Sequence, residues 1–296
     1  MAAWLAYRQT SCQTDCHRTQ KEIIMTTDGF INISNFKAEA KLALWGATLL
    51  SFRPQNEPHD VLWLGARNKF DGVHAIRGGV PISWPRFAEE ELNNHLPRHG
   101  FARVSEWQVA SLSADENKAE MELILSSQPQ YNLAVTAKLT LKIGEVLEYY
   151  LETTNNSDET FEFSEALHAY FNVSSLANIT IKGLKGQNYK NSLTGKNGVL
   201  TEDIKIAAEF DSIFLGHTGA VEIEDRGFNR VIEIEKIGSQ TTVVWNPYKD
   251  LAEMAENQHK TFVCVEPSNV GDYHIKLAPH ATHQIGMKIK VKKLNK

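Results

Sequence analysis

The dominant pattern in this chain is an alternation of apolar and polar residues that begins near residue 36. It is regular at 138–143, and it recurs at 221–224 and 231–235, on either side of the turn-rich segment 225–230. A period of two is typical of a strand with one buried and one solvated face. The two alternating runs around 225–230 therefore predict a hairpin, and we expect a further turn at 155–158, where Asn, Ser and Asp follow a long strand.

Helical periodicity is scarce along the same stretch. We predict short helices only near 89–93 and 251–257, and no strand–helix alternation of the kind that builds a parallel sheet is present. Many medium-length strands joined by turns favour an all-β fold. The sequence therefore predicts a large antiparallel β-sandwich.

Composition supports a single core of this kind. The chain has 296 residues, 42% hydrophobic and 23% charged, which allows a substantial core without disulfides, and no linker-like stretch divides it. We therefore expect one domain over 26–296. Residues 1–25 match the rest poorly and are expected to form a disordered or loosely attached extension, with Met25 as a candidate start. Their apolar run is too short for a secretory signal.

The three cysteines, Cys12, Cys16 and Cys264, are too few and too scattered for a disulfide framework and fit a reducing compartment. We expect a cytoplasmic protein. Cys12, Cys16 and His17 have no second ligand pair at useful spacing, so no structural metal is expected. No apolar run approaches the roughly 20 residues of a membrane span.

The distribution of charge is more informative than its total. A net charge of −5 and a pI near 6.1 argue against a general nucleic-acid binder. Half of the arginines nevertheless fall within 67–103: Arg67, Arg77, Arg86, Arg98 and Arg103. The planar guanidinium suits carboxylate or phosphate recognition. The simpler interpretation is a set of charges on surface loops.

Four segments interrupt the alternation with polar residues in apolar surroundings, which is a reason to suspect a functional site. In 76–87, IRGGVPISWPRF, paired glycines allow a sharp turn or close backbone approach; the alternative is a purely structural turn. In 96–103, LPRHGFAR, His99 beside two arginines suits a loop that binds a polar or anionic ligand. Taken alone, a histidine in such a loop is more often a hydrogen-bonded structural residue.

The other two segments each contain one ionisable residue among apolar neighbours. His168, in SEALHAYFNV, is predicted to be half buried, where burial lowers and a nearby carboxylate raises its pKa. Glu266 ends the apolar run TFVCVEP and must be paired, hydrogen-bonded or at the mouth of a cavity if it is buried. The alternatives are a satisfied core histidine and a solvent-facing strand-end glutamate.

Taken together and in order, the motifs IRGGVPISWP, LPRHGFAR, ALHAYFNV, VVWNP and FVCVEPSN resemble the aldose 1-epimerase superfamily, most closely its hexose-6-phosphate branch. The resemblance runs from about Phe36 to Lys292. It implies a galactose-mutarotase-like β-sandwich, in agreement with the fold predicted from periodicity. It also implies His168 as general acid and Glu266 as general base, converging on opposite sides of a bound pyranose.

The same resemblance implies a substrate pocket lined by Arg77, His99, Arg103 and Asp211, and we predict that Arg98, beside His99, is a further substrate-binding residue. Arg98 departs from the family, in which this position is commonly uncharged or an amide. The implied activity is interconversion of the α and β anomers of a hexose 6-phosphate, glucose 6-phosphate first, by a monomer without metal or cofactor. Such a substrate explains the cluster of arginines, because a phosphate carries about −1.5 to −2 charges near pH 7.

Two other functions remain open at this point. A glycoside hydrolase on a similar sandwich would need two carboxylates across the scissile bond, for which Glu266 could pair with Asp211 or Glu165. A non-catalytic carbohydrate-binding protein could keep the fold without the acid–base pair.

Overall fold

Strands make up nearly all of the regular structure. A computed structural model describes residues 22–93, 95–126 and 128–294. Residues 1–21 of the predicted extension 1–25, with Cys12, Cys16 and His17, lie outside the described residues. Helical structure in these ranges is limited to 3-10 turns: Ala102–Val104, Pro129–Tyr131, Leu176–Asn178, Gln258–Thr261 and Gly271–Tyr273. No helix in the described part of the chain has the length and apolarity needed to cross a bilayer.

The described strands are numbered in chain order. The first eleven are β1 (Glu22–Met25), β2 (Phe30–Ser34), β3 (Ala38–Ala43), β4 (Thr48–Pro54), β5 (Ile82–Ser83), β6 (Trp107–Ala114), β7 (Ala119–Leu125), β8 (Val135–Ile143), β9 (Leu147–Asn155), β10 (Phe161–Phe163) and β11 (Glu165–Leu167). The others are β12 (Tyr170–Asn172), β13 (Ile179–Lys182), β14 (Asn188–Asn191), β15 (Asn197–Val199), β16 (Phe210–Leu215), β17 (Val221–Asp225), β18 (Arg230–Ile237), β19 (Thr241–Asn246), β20 (Phe262–Asn269), β21 (Ile275–Leu277) and β22 (Thr282–Lys293).

These strands form two eight-stranded antiparallel sheets. One runs β15-β14-β16-β19-β20-β11-β5, with β12 also beside β20, and the other runs β13-β17-β18-β22-β9-β8-β7-β6. A four-stranded sheet β1-β2-β3-β4 and the pair β10-β21 complete the fold. The predicted all-β antiparallel sandwich is confirmed, as is the hairpin, formed by β17 and β18.

The core lies where the inward faces of the sheets meet. Buried side chains alternate along β9, and they join those of the other large sheet, such as Phe214 and Val265, in one continuous apolar cluster. Strand β20 differs because every one of its residues is buried. Val263 and Val265 face the main core, whereas Phe262 and Cys264 belong to a second apolar cluster on the opposite face. That second face is where Glu266 points.

Three details of the predicted organisation are wrong. Residues 22–25, assigned to the loose extension, form β1 and pair with β2, and Ile23 packs against the core. The helix predicted near 89–93 is a series of turns, because Arg86 binds the carbonyls of Glu90 and Leu96. The helix predicted at 251–257 is also a turn, whose end is held by the carboxylate of Asp250. Tertiary hydrogen bonds outweigh weak helical periodicity in both loops.

Lys236 is a buried lysine on the inward face of β18. Its ammonium donates to the main-chain oxygens of His217 and Thr241, and burial lowers its pKa to about 7. A lysine in the unfolded chain titrates near pH 10.4. Between these values the folded state binds fewer protons than the unfolded state, so the stability of the fold rises with pH.

We therefore expect the free energy of unfolding of the wild-type protein to increase from about pH 7 to about pH 9.5 by more than that of Lys236→Met. Denaturant melts across this range measure the difference. Lys288→Met, at a solvent-facing position of the neighbouring strand β22, is the matched control and keeps the wild-type slope. Parallel pH profiles for wild type and Lys236→Met would contradict this prediction.

Candidate active site

One strand register brings His168 and Glu266 together. Strands β11 and β12 both lie antiparallel to β20 in the same register, with partners Ala166 and Ser268 on β11, and Tyr170 and Cys264 on β12. Continuing this register between the two strands places His168 directly opposite Glu266. Side chains opposed in this way on adjacent antiparallel strands have Cβ atoms about 5 Å apart.

The strand is interrupted at His168 itself. The main-chain N–H of His168 donates to the carbonyl of Pro81, 2.9 Å away, and the N–H of Ala169 turns back to Leu167. On that side β5 pairs with β11, so the segment that includes the paired glycines runs alongside the histidine. The kink leaves the imidazole on the face shared with Glu266.

The two side chains are in contact and withdrawn from water. Nδ1 of His168 lies 3.3 Å from Oε1 of Glu266, and the side chains are 13% and 1% exposed. The expectation that the two groups would flank a pyranose from opposite sides is wrong, because neighbouring strands hold them side by side. Among the described residues, neither Nδ1 of His168 nor the second carboxylate oxygen of Glu266 has a hydrogen-bond partner, so the 3.3 Å approach is a close contact rather than a hydrogen bond.

Aromatic rings fix the imidazole in place. The ring of Tyr170 stacks on that of His168 with centroids 4.9 Å apart, and Trp245 meets the same imidazole edge-on at 5.7 Å. Cys264, two residues before Glu266, has its sulfur within 4.8 Å of the ligand atoms of both members of the pair. This trio contains donor types that bind zinc, but the neighbouring arginines oppose a cation here.

Three of the five clustered arginines lie near this pair. Nε of Arg77 pairs with Oε2 of Glu253 at 3.1 Å, and its Nη1 donates to the hydroxyl of Tyr170 at 3.3 Å. Nη2 of Arg103 donates to the main-chain oxygen of Arg98 at 3.1 Å, while its buried Nε has no partner among the described residues. Arg98 is more open, with its side chain 65% exposed.

The other two arginines lie outside the site. Arg86 is buried and holds its own loop through main-chain oxygens, and Arg67 is exposed. The three clustered arginines that lie near the pair are therefore those predicted to bind substrate, Arg77, Arg98 and Arg103.

The loop that contains His99 forms another side of the site. His99 has φ of 59°, in the left-handed region that few side chains adopt, and its Nδ1 accepts the N–H of Ala88 at 3.2 Å. Its ring lies 5.8 Å from that of His168. The next residue, Gly100, has φ of 68°, and a Cβ there would lie 2.0 Å from the carbonyl oxygen of Trp84. The tight approach thus requires glycine.

Asp211 on β16 is the remaining predicted site residue. Its carboxylate is close enough to Glu266 to raise the pKa of that group, and burial raises the pKa of Asp211 itself. The structure therefore brings all seven predicted site residues into one neighbourhood, with Arg98 at its exposed edge.

Burial and charge set the protonation of the central pair. Burial lowers the pKa of His168 to about 3, assisted by the positive charges of Arg103 and Arg77. Burial also raises the pKa of Glu266 well above its usual range, with a further contribution from Asp211. The pair therefore favours a neutral imidazole beside a protonated carboxyl, so that the proton the two groups can exchange lies on Glu266. His99 is also neutral, since burial and Arg103 lower its pKa to about 2.

Sequence reasoning missed Tyr170, Trp245 and Glu253. The signal for Tyr170 was present, because residues i and i+2 of a strand share a face and Tyr170 follows His168 at that spacing. Glu253 had no such signal, since it reaches Arg77 from a distant loop. Glu165, considered as a partner for Glu266, faces the other way: its Oε1 binds His283 at 2.8 Å and Asn269 at 2.9 Å.

Comparison with known proteins identifies the family of this chain. A sequence profile of the aldose 1-epimerase family matches residues 30–290. A Salmonella typhimurium protein named "Putative glucose-6-phosphate 1-epimerase" is 34% identical over 245 residues, covering 80% of this chain and 81% of the relative.

Solved structures give the same result. The crystal structure of "a putative mutarotase" from Salmonella typhimurium superposes with a TM-score of 0.82 at 31% identity, covering 89% of this chain and 90% of that one. A galactose mutarotase-like protein from Clostridium acetobutylicum shares the fold, with a TM-score of 0.71 at 18% identity over 93% of this chain and 98% of that one. The galactose-mutarotase-like fold and the resemblance noted from the motifs are confirmed: the chain belongs to the aldose 1-epimerase family.

Proposed function

We propose that this protein interconverts the α and β anomers of a hexose 6-phosphate, with glucose 6-phosphate as the foremost candidate. The observation that carries the proposal is the buried contact between His168 and Glu266 beside a cluster of arginines. An acid–base pair suits mutarotation, and the arginines suit a phosphate. The name of the Salmonella typhimurium relative points in the same direction.

Ring opening needs two proton transfers at neighbouring oxygens. Glu266, as a carboxylate, takes the proton of the anomeric hydroxyl, while His168, as an imidazolium, protonates the ring oxygen as its bond to C1 breaks. Both oxygens are bonded to C1, so two groups in contact with each other can serve both. Their side-by-side arrangement therefore fits the reaction better than the opposed arrangement expected from the sequence.

Ring closure reverses the two transfers. After rotation about the C1–C2 bond, the open-chain hydroxyl attacks the other face of the aldehyde, giving its proton to neutral His168 while Glu266 protonates the carbonyl oxygen. Opening therefore leaves His168 neutral and Glu266 protonated, and closure restores the imidazolium and the carboxylate. Each positioned group contributes roughly 10²–10⁴-fold in rate.

The remaining residues recognise the substrate in this proposal. Arg103, whose buried Nε has no partner in the described ranges, and Arg98 at the exposed edge bind the phosphate together with Arg77. Asp211 orients sugar hydroxyls near Glu266, and His99 donates or accepts a further hydrogen bond. The cytoplasmic location and the monomeric state stay predictions from the sequence.

The proposed base gives the first test. We expect Glu266→Gln to reduce interconversion of α-glucose 6-phosphate at least about a hundredfold, because the amide cannot take the anomeric proton. Polarimetry or a coupled anomer assay measures the rate. Glu165→Gln, which alters a buried carboxylate on the opposite face of the same strands, keeps a rate near that of the wild type. A Glu266→Gln rate within about tenfold of wild type would contradict the role.

The phosphate preference gives the second test. We expect Arg103→Met to reduce kcat/KM for glucose 6-phosphate by at least about tenfold, since a charge-assisted hydrogen bond to phosphate contributes about 1.5–3 kcal/mol. Turnover of free glucose changes less. Arg67→Met removes an exposed arginine from the same part of the sequence and serves as the control. Equal turnover of glucose and its 6-phosphate by the wild-type protein would contradict the proposed substrate.

A further inference from the structure

We propose that the substrate's phosphate switches on the acid–base pair as well as anchoring the sugar: by offsetting the charge of the arginines, it moves the shared proton from Glu266 onto His168. The inference rests on the proposed function and concerns the same site. It makes the phosphate a determinant of turnover rather than of binding alone.

The geometry of the pair makes it sensitive to nearby charge. Nδ1 of His168 and Oε1 of Glu266 are 3.3 Å apart and almost entirely buried. Moving the proton between them converts two neutral groups into an imidazolium and a carboxylate. In a site withdrawn from water, each nearby charge contributes far more to that balance than it would in solvent.

The charges that face His168 are mostly positive. Arg77 is offset by Glu253, whereas Arg103 finds only the main-chain oxygen of Arg98 and leaves its Nε without a partner among the described residues. Arg98 meets a carboxylate oxygen of Glu89 only at 3.9 Å and in solvent. The arginines therefore carry more positive charge than the site neutralises.

The other titratable neighbours correct this imbalance only in part. Arg98 lowers the pKa of Asp211, but burial raises that pKa overall, and the charge of Asp211 also acts on Glu266, where it favours the protonated carboxyl. His99 is held neutral by burial and by Arg103. Tyr170 and Cys264 are buried, and burial raises the pKa of both. Each of these groups therefore leaves the neutral pair as the favoured form.

The neutral forms of His168 and Glu266 cannot begin the ring opening of a cyclic sugar. With the proposed roles, ring opening begins from an imidazolium and a carboxylate, while the neutral pair is the form that ring closure needs. After burial, Arg103 and Arg77 are the strongest influences that lower the pKa of His168. A bound dianion next to these guanidiniums offsets their effect and restores the proton to His168 for the opening step.

The direct test follows the protonation of His168 by NMR of histidine-labelled protein. Sulfate serves as the probe, because it is a dianion at pH 7. We expect saturating sulfate, compared with chloride at equal ionic strength, to convert most of His168 from the neutral imidazole to the imidazolium form at pH 7, read from its ring-nitrogen signals. The conversion disappears in Arg103→Met and persists in Arg67→Met. Sulfate that binds without changing the ring-nitrogen signals of His168 would overturn the inference, and so would failure of sulfate to bind.

A kinetic arm separates this inference from the proposed function. We expect sulfate to accelerate the anomerisation of saturating free glucose by at least about tenfold, and glucose 6-phosphate to exceed free glucose in kcat as well as in kcat/KM. If glucose 6-phosphate is preferred through KM alone and sulfate has no effect, the switch is wrong and the proposed substrate stands. If glucose 6-phosphate has no advantage at all, the proposed function fails with it.

Discussion

The structure of this site depends on the register between β20 and the interrupted strand formed by β11 and β12. Because the register is the same on both sides of the interruption, a histidine and a glutamate almost one hundred residues apart are held opposite each other. A slip of one residue would turn either side chain toward the main core. The complete burial of β20 on both faces makes such a slip costly, so the same packing that stabilises the sandwich fixes the geometry of the pair.

Burial has an electrostatic consequence for the same two residues. Burial shifts the pKa values of Glu266 and His168 so that both groups favour their neutral forms. A general acid and a general base work best when their pKa values lie near the working pH. In the proposed reaction, the ligand itself adjusts them: the arginines that attract a phosphate are also the charges that hold the imidazole unprotonated. Recognition and chemistry would then be coupled through three guanidiniums.

The sequence was sufficient for the fold, and it predicted a set of candidate site residues that the structure brings together, but it did not predict their arrangement. Period-two alternation at 138–143 and 221–235 is a direct consequence of strands with one buried face, so it predicted β8 and the β17–β18 hairpin. The ordered motifs around His168 and Glu266 identified the family. Periodicity has no information about which strands are neighbours, and this is why the side-by-side pairing was not foreseen.

Long-range contacts explain the other differences. Glu253 reaches Arg77 across 176 residues, and Arg86 turns back to hold its own loop although it lies among the site arginines in the sequence. Neither contact leaves a local pattern. At 251–257 the weak helical periodicity is outweighed by hydrogen bonds that the main-chain N–H groups of Asn257 and His259 donate to Asp250. Such loops depend on tertiary partners rather than on propensity, so single-sequence reasoning is weakest there.

The most direct test of this account is a crystal structure of the protein with glucose 6-phosphate bound. We expect the anomeric oxygen to lie within hydrogen-bonding distance of Glu266, the ring oxygen within the same distance of His168, and the phosphate against Arg103. A sugar whose C1 lies away from the His168–Glu266 contact, or whose phosphate points away from the arginines, would contradict the account.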